Sequence, residues 1–140
     1  MNKILIIGQA PPIKKQAIPY DSTMLYDWFS EVGITVDEAQ KVFDFEAMTD
    51  KIPQVGANGH IPPSEVEMAE YFQRVLKEKV SKADKVILLG ASPRNFFNVK
   101  KFFTEEGKML SLIHPSKRNS KMYYDNKELL LSLLKQFVNK

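Results

Sequence analysis

The chain has 140 residues, 44% of them hydrophobic, and carries 20 basic against 17 acidic residues for a net charge of +3. Nine Phe, five Tyr and one Trp at this length predict one packed domain over residues 1–140 and argue against a disordered chain. Cysteine is absent, which excludes disulfides, thiolate metal sites, cysteine-held iron–sulfur clusters and a cysteine nucleophile.

Residues 4–7 are four consecutive aliphatic residues ended by Gly8-Gln9-Ala10-Pro11-Pro12. The pattern predicts a buried strand whose chain turns sharply at its carboxyl end. The apolar run is too short for a signal-peptide core and no stretch reaches membrane-spanning length, so a soluble cytoplasmic protein is expected. A polar stretch leads through Pro19-Tyr20-Asp21 to a helix predicted over residues 23–32, in which Leu25, Trp28, Phe29 and Val32 share one face. Ser22 suits its N-cap and Gly33 its stop.

A short strand is predicted over residues 41–45. Residues 47–63 hold Pro53, Gly56, Gly59, Pro62 and Pro63 without periodicity and read as a candidate lid. His60 stands in this loop with no second histidine close by and no cysteine, so it reads as an exposed loop residue and a metal site is not expected. Ser64-Glu65-Val66-Glu67 has the form of a capping box opening a helix to about residue 82. A third strand over residues 85–89 is closed by Gly90, and Ser92-Pro93 starts a helix that carries Phe96, Phe97 and Phe103 as far as Gly107. The fourth strand, residues 109–113, runs into His114-Pro115-Ser116, and a last helix is predicted over residues 122–138.

Strand and helix thus alternate four times, which predicts an α/β fold: a three-layer α/β/α sandwich around a four-stranded parallel sheet with right-handed crossovers. The turns at Gly8 to Pro12 and at His114 to Ser116 then share one rim, where ligands of open parallel sheets bind. Basic residues recur beside these ends (Lys14, Lys15, Arg94, Lys117, Arg118 and Lys121), a distribution compatible with a polyanionic partner.

Gly8-Gln9-Ala10-Pro11-Pro12 and His114-Pro115-Ser116 resemble the two signature motifs of the uracil-DNA glycosylase superfamily. Pro19-Tyr20, Pro62-Pro63-Ser64-Glu65 and Leu88-Leu89-Gly90 fall in the order seen in its thermostable iron–sulfur branch, so the likeness spans nearly the whole chain. The resemblance implies a DNA glycosylase that hydrolyses the N-glycosidic bond of uracil or another altered base after flipping it out of the stack. It implies catalytic roles for His114, which would stabilise the departing base, and for a water-positioning carboxylate, for which Asp21 beside the stacking ring of Tyr20 is the first choice. Gly8, Gln9, Ala10, Pro11, Tyr20 and Glu46 become base-binding candidates, and Ser116, Lys117, Arg118 and Asn119 DNA-binding candidates. DNA is the implied partner, and a monomer without metal or cofactor is expected.

Three departures from the family pattern bear on the chemistry. Gln9 and Ala10 stand where the branches carry a glutamate or an aspartate, so hydrolysis would need another carboxylate, such as Asp21, Asp44 or Glu46, or would rest on electrostatic stabilisation of an oxocarbenium-like state and unassisted water. Phe45-Glu46-Ala47 stands near the place of the family's uracil-reading asparagine, the nearest asparagine being Asn58, and a carboxylate suits an amino group better than a carbonyl. The cluster cysteines are missing. A member that binds nucleic acid or a free base or nucleotide without cleaving it is therefore the alternative, alongside an unrelated doubly wound phosphate-binding domain, for which the spaced glycines are lacking.

Overall fold

The structure is a computed structural model that describes residues 4–9, 23–51, 55–56 and 59–140, with no description of the side chains of Thr23, Lys117 and residues 55–56 and 59–60. In chain order come β1 (Ile4–Gly8), α1 (Thr23–Glu31), α2 (Val36–Val42), β2 (Phe43–Ala47), β3 (Val55–Gly56), β4 (Gly59–His60) and α3 (Glu65–Tyr71). A π-helical turn (Phe72–Leu76) joins α3 to α4 (Lys77–Lys82), followed by β5 (Lys85–Leu89), α5 (Ala91–Phe96), β6 (Thr104–Glu106) and β7 (Met109–Leu112). A 3-10 turn (Lys117–Asn119), α6 (Ser120–Asp125) and α7 (Lys127–Asn139) complete the chain.

The main sheet has the order β2-β1-β5-β7-β6. The four strands expected from the sequence are β2, β1, β5 and β7, all mutually parallel, and β6 adds an antiparallel edge. Strand alternation divides the core in two. Ile4, Ile6, Ile87, Leu89, Leu110 and Leu112 pack with Trp28, Phe29, Leu130, Leu134 and Phe137 on one face. Leu5, Ile7, Val86 and Leu88 pack with Met68, Tyr71, Leu76 and Val99 on the other. Helices therefore cover both faces, and the architecture is the three-layer α/β/α sandwich.

The chain leaves β1 sideways to β2, then returns past β1 to β5 and on toward β7. Because the direction reverses between β1 and β5, their carboxyl ends form the topological switch point, where open α/β sheets bind ligands.

Four local expectations are corrected. The strand expected at residues 41–45 begins at Phe43, because Thr35 caps α2 by accepting from the Glu38 N–H (3.1 Å). The long loop contains a small hairpin, with Val55 opposite His60. The helix expected to reach Gly107 ends at Phe96, and its continuation is an irregular link with positive φ at Asn98 and Phe103. There the Arg94 guanidinium holds the Val99 and Lys100 carbonyls and lies over the Phe102 ring, fixing a non-helical course. The last helix is broken at Asn126, whose side-chain amide donates to the Met122 carbonyl (2.9 Å).

Two lysines at the amino-terminal end of the sheet close helix ends. Lys108 donates to the carbonyls of Val80 and Ala83 at the end of α4, and Lys85 to the main-chain oxygens of Val138 and Lys140 at the end of α7. A cation there satisfies carbonyls that have no partner within the helix. No helix among the described residues is long and apolar enough to cross a membrane.

Candidate active site

Three parallel strands deliver the site. Gly8 is buried at the end of β1 and Gln9 follows it half-buried. Their carbonyls both accept from the Met48 N–H, at 3.0 and 3.2 Å, so the chain leaving β2 braces the turn after β1. From the start of α5, just after β5, the Ser92 hydroxyl donates to Gln9 Oε1 (3.1 Å). Gly90 links β5 to β7 through its N–H, which donates to the Leu112 carbonyl (2.9 Å).

Gly90 has φ +94° and ψ 179°, a region essentially reserved for glycine. A Cβ there would stand 3.2 Å from His114 Cβ and 3.6 Å from its Cδ2. His114 therefore packs directly against the bare α-carbon of Gly90. Through Gly90 and Ser92, the β5 turn joins the residue after the first strand to the histidine after the last.

The His114-Pro115-Ser116 turn is held from within. Pro115 is buried, the Asn119 side-chain amide donates to the His114 carbonyl (2.8 Å), and the Asn119 N–H donates to the Ser116 carbonyl (3.0 Å). Ser116 is half-buried and Arg118 exposed beside it. Asn119, expected to face DNA, thus spends its amide donor on the turn that carries His114.

Glu46 lies opposite Ile7 in the β1–β2 register. One carboxylate oxygen accepts from the Tyr71 hydroxyl (2.8 Å) and the other from Lys79 Nζ (2.5 Å). Burial, with the Glu46 carboxylate beside it, pushes the Tyr71 phenol well above its ordinary range. Asp50 pairs with Arg74 (3.1 Å) and Lys51 with Glu67 (3.9 Å), so residues 46–51 are laced to the α3–α4 helix.

Of the residues expected in the site, Gly8, Gln9 and His114 come together around the β5 turn. Ser116, Arg118 and Asn119 follow directly on, with Lys117 in the 3-10 turn. Ala10, Pro11, Tyr20 and Asp21 lie outside the described residues, as does the N-cap expected at Ser22. Gly90 and Ser92 were not among the expected site residues. Their signal was present: a glycine closing an apolar strand, followed two residues later by Ser-Pro, is the same punctuation that marked the first turn. A cavity of about 260 Å3 lies elsewhere, between α1 and the α6–α7 corner, and Asp27 and Glu31 on its wall make it a poor seat for phosphate. Among the described residues no three His, Asp or Glu side chains are grouped to hold a metal ion.

A doubly wound α/β/α sandwich of this order defines the class of open α/β proteins, whose ligands bind outside the carboxyl ends of the strands at the switch point. The family model of the uracil DNA glycosylase superfamily matches residues 1–137, and the chain belongs to that superfamily. It is thus a DNA-glycosylase-like protein. No single curated protein matches it.

Proposed function

We propose that this protein removes uracil or another altered base from DNA by hydrolysing the N-glycosidic bond. The observation that supports this most is the packing of His114 on Gly90 while Gln9 bonds Ser92, two residues further along the same turn. In this reading the flipped base enters the turn of Gly8, Gln9, Ala10 and Pro11 and stacks on Tyr20. The bond from C1′ to the base nitrogen breaks with its electron pair leaving on the base, and His114 donates a hydrogen bond to the oxygen where that charge collects. A water oxygen bonds to C1′ and its proton passes to solvent, with Asp21 as the carboxylate that positions the water. Ser116, Lys117 and Arg118 contact phosphates, and Asn119 serves by holding the histidine's turn. The protein acts as a monomer, in the cytoplasm, without a cofactor.

A second reading, binding without cleavage, is favoured by one observation: Gln9 and Ala10 supply no carboxylate where the family branches have one. One assay separates the two. Uracil-bearing single- and double-stranded oligonucleotides are incubated with the protein and treated with alkali, and strand breaks at the abasic position are scored. Breaks that fall by about 100-fold or more in His114→Ala support hydrolysis. Salt-sensitive DNA binding with no breaks across uracil and other altered bases supports the second reading.

A further inference from the structure

Tyr71 and Lys79 both reach Glu46 although they are eight residues apart. In an uninterrupted α-helix that separation leaves two side chains about 80° apart around the axis. The π-helical turn Phe72–Leu76 lies between them and takes up one additional residue. Across it the two residues stand as i and i+7 do, about 20° apart and two turns along. Glu67 and Tyr71, four residues apart in α3, continue the same line, and Arg74 within the π-helical turn faces Asp50. The interruption therefore brings Lys79 into the polar stripe that Glu67, Tyr71 and Arg74 form against residues 46–51.

That segment leads directly to the site. Two residues beyond Glu46, the Met48 N–H bonds the Gly8 and Gln9 carbonyls, and Gln9 bonds Ser92. We infer that Glu46 is a positioning residue rather than a contact to the base: held by Tyr71 and Lys79 across the π-helical turn, it fixes the chain that braces the turn after β1. Both of its oxygens are already engaged by donors of the helix, and its side chain is mostly covered, at 14% exposure against 47% for Lys79. The catalytic consequence rests on the function proposed above. The mechanical one does not.

The test uses the full chain and the variants Lys79→Met, Lys79→Arg and Glu46→Gln, with two readouts. Amide hydrogen exchange at Met48 is compared with that at Leu88 and Leu110 in the core, and excision is measured at several oligonucleotide concentrations. The expected result for Lys79→Met is Met48 exchange about tenfold faster with Leu88 and Leu110 unchanged, restored in Lys79→Arg. Excision should lose about tenfold in kcat, with KM within about twofold, because the binding surface is intact and only the turn is misplaced. Glu46→Gln should fall between Lys79→Met and the parent. Unchanged Met48 exchange overturns the inference, as does acceleration at all three amides alike, which marks a global loss of stability. A changed base preference with Met48 exchange unaltered makes Glu46 a base contact after all. If the parent protein excises nothing, the proposed function fails, and the exchange result alone decides this inference.

Discussion

His114 packs so closely on Gly90 that a single carbon added to the glycine would lie 3.2 Å from the histidine's Cβ. The contact joins the strand end at the middle of the sheet to the motif near the carboxyl terminus. Gly90→Ala is therefore expected to act twice, by strain at a φ of +94° and by shifting His114 by a few tenths of an ångström. The strain should cost about 1–3 kcal/mol. Urea unfolding reads that loss. Excision should fall further than stability does, and equal activity per folded molecule would detach the contact from catalysis.

Removal of the Asn119 amide takes away the hydrogen bond that it donates to the His114 carbonyl. Asn119→Ala should lower stability by about 1 kcal/mol, the net worth of one such bond. Because that bond sets the backbone of the turn, the variant should retain DNA binding and lose excision. An equilibrium titration with a non-cleavable oligonucleotide beside the excision assay separates the two effects.

Alkaline pH probes the tie around Glu46. Burial and the neighbouring carboxylate raise the Tyr71 phenol above its ordinary value of 10.0 in the folded protein. Above about pH 10 the unfolded chain releases a proton that the folded chain keeps. The stability contributed by Tyr71 is therefore complete below that pH and declines as pH rises beyond it. Tyr71→Phe should begin less stable at about pH 8, having lost the hydrogen bond to Glu46, and should decline less steeply toward about pH 11. Tyr26 and Tyr123, raised by burial as well, contribute the same background to both proteins. Parallel slopes in urea midpoint against pH would remove Tyr71 from the account.

Deleting one residue tests the phase argument. Gln73 is exposed within the π-helical turn. Its removal should convert the interruption to regular α-helix while leaving the faces of α3 and α4 where they are. The deleted protein should fold with stability within about 1 kcal/mol of the parent and keep the Glu46–Lys79 pair. An alanine inserted after Gln73 should instead turn α4 by about 100° and lose that pair. Chemical-shift changes at Glu46 and urea midpoints distinguish the two outcomes.

The sheet was largely legible in the sequence because uninterrupted aliphatic runs such as Ile4 to Ile7 and Val86 to Leu89 suit buried parallel strands. The edge strand was not. Phe96, Phe97 and Phe103 fit one helical pattern, but Phe96 and Phe97 pack on Phe72 while Arg94 holds the following carbonyls, so tertiary contacts override the local period. Helix α2 carried a readable sign in Thr35-Val36-Asp37-Glu38, the same capping form recognised at Ser64. The π-helical turn left none, since Met68, Phe72, Val75 and Leu76 satisfy an ordinary helical face. At the site, the motif pair was readable from its turn punctuation. The clasp of Glu46 by Tyr71 and Lys79 depended on spatial neighbours 25 and 33 positions away, which no local pattern encodes.

Lys85 and Lys108 fasten the ends of two helices at the pole opposite His114. These anchors thereby lie at one pole of the sheet and the proposed recognition site at the other. Under the proposed function, substitutions in the turns around Gly8 and Ser116 should alter the preferred lesion while the two lysine anchors stay in place.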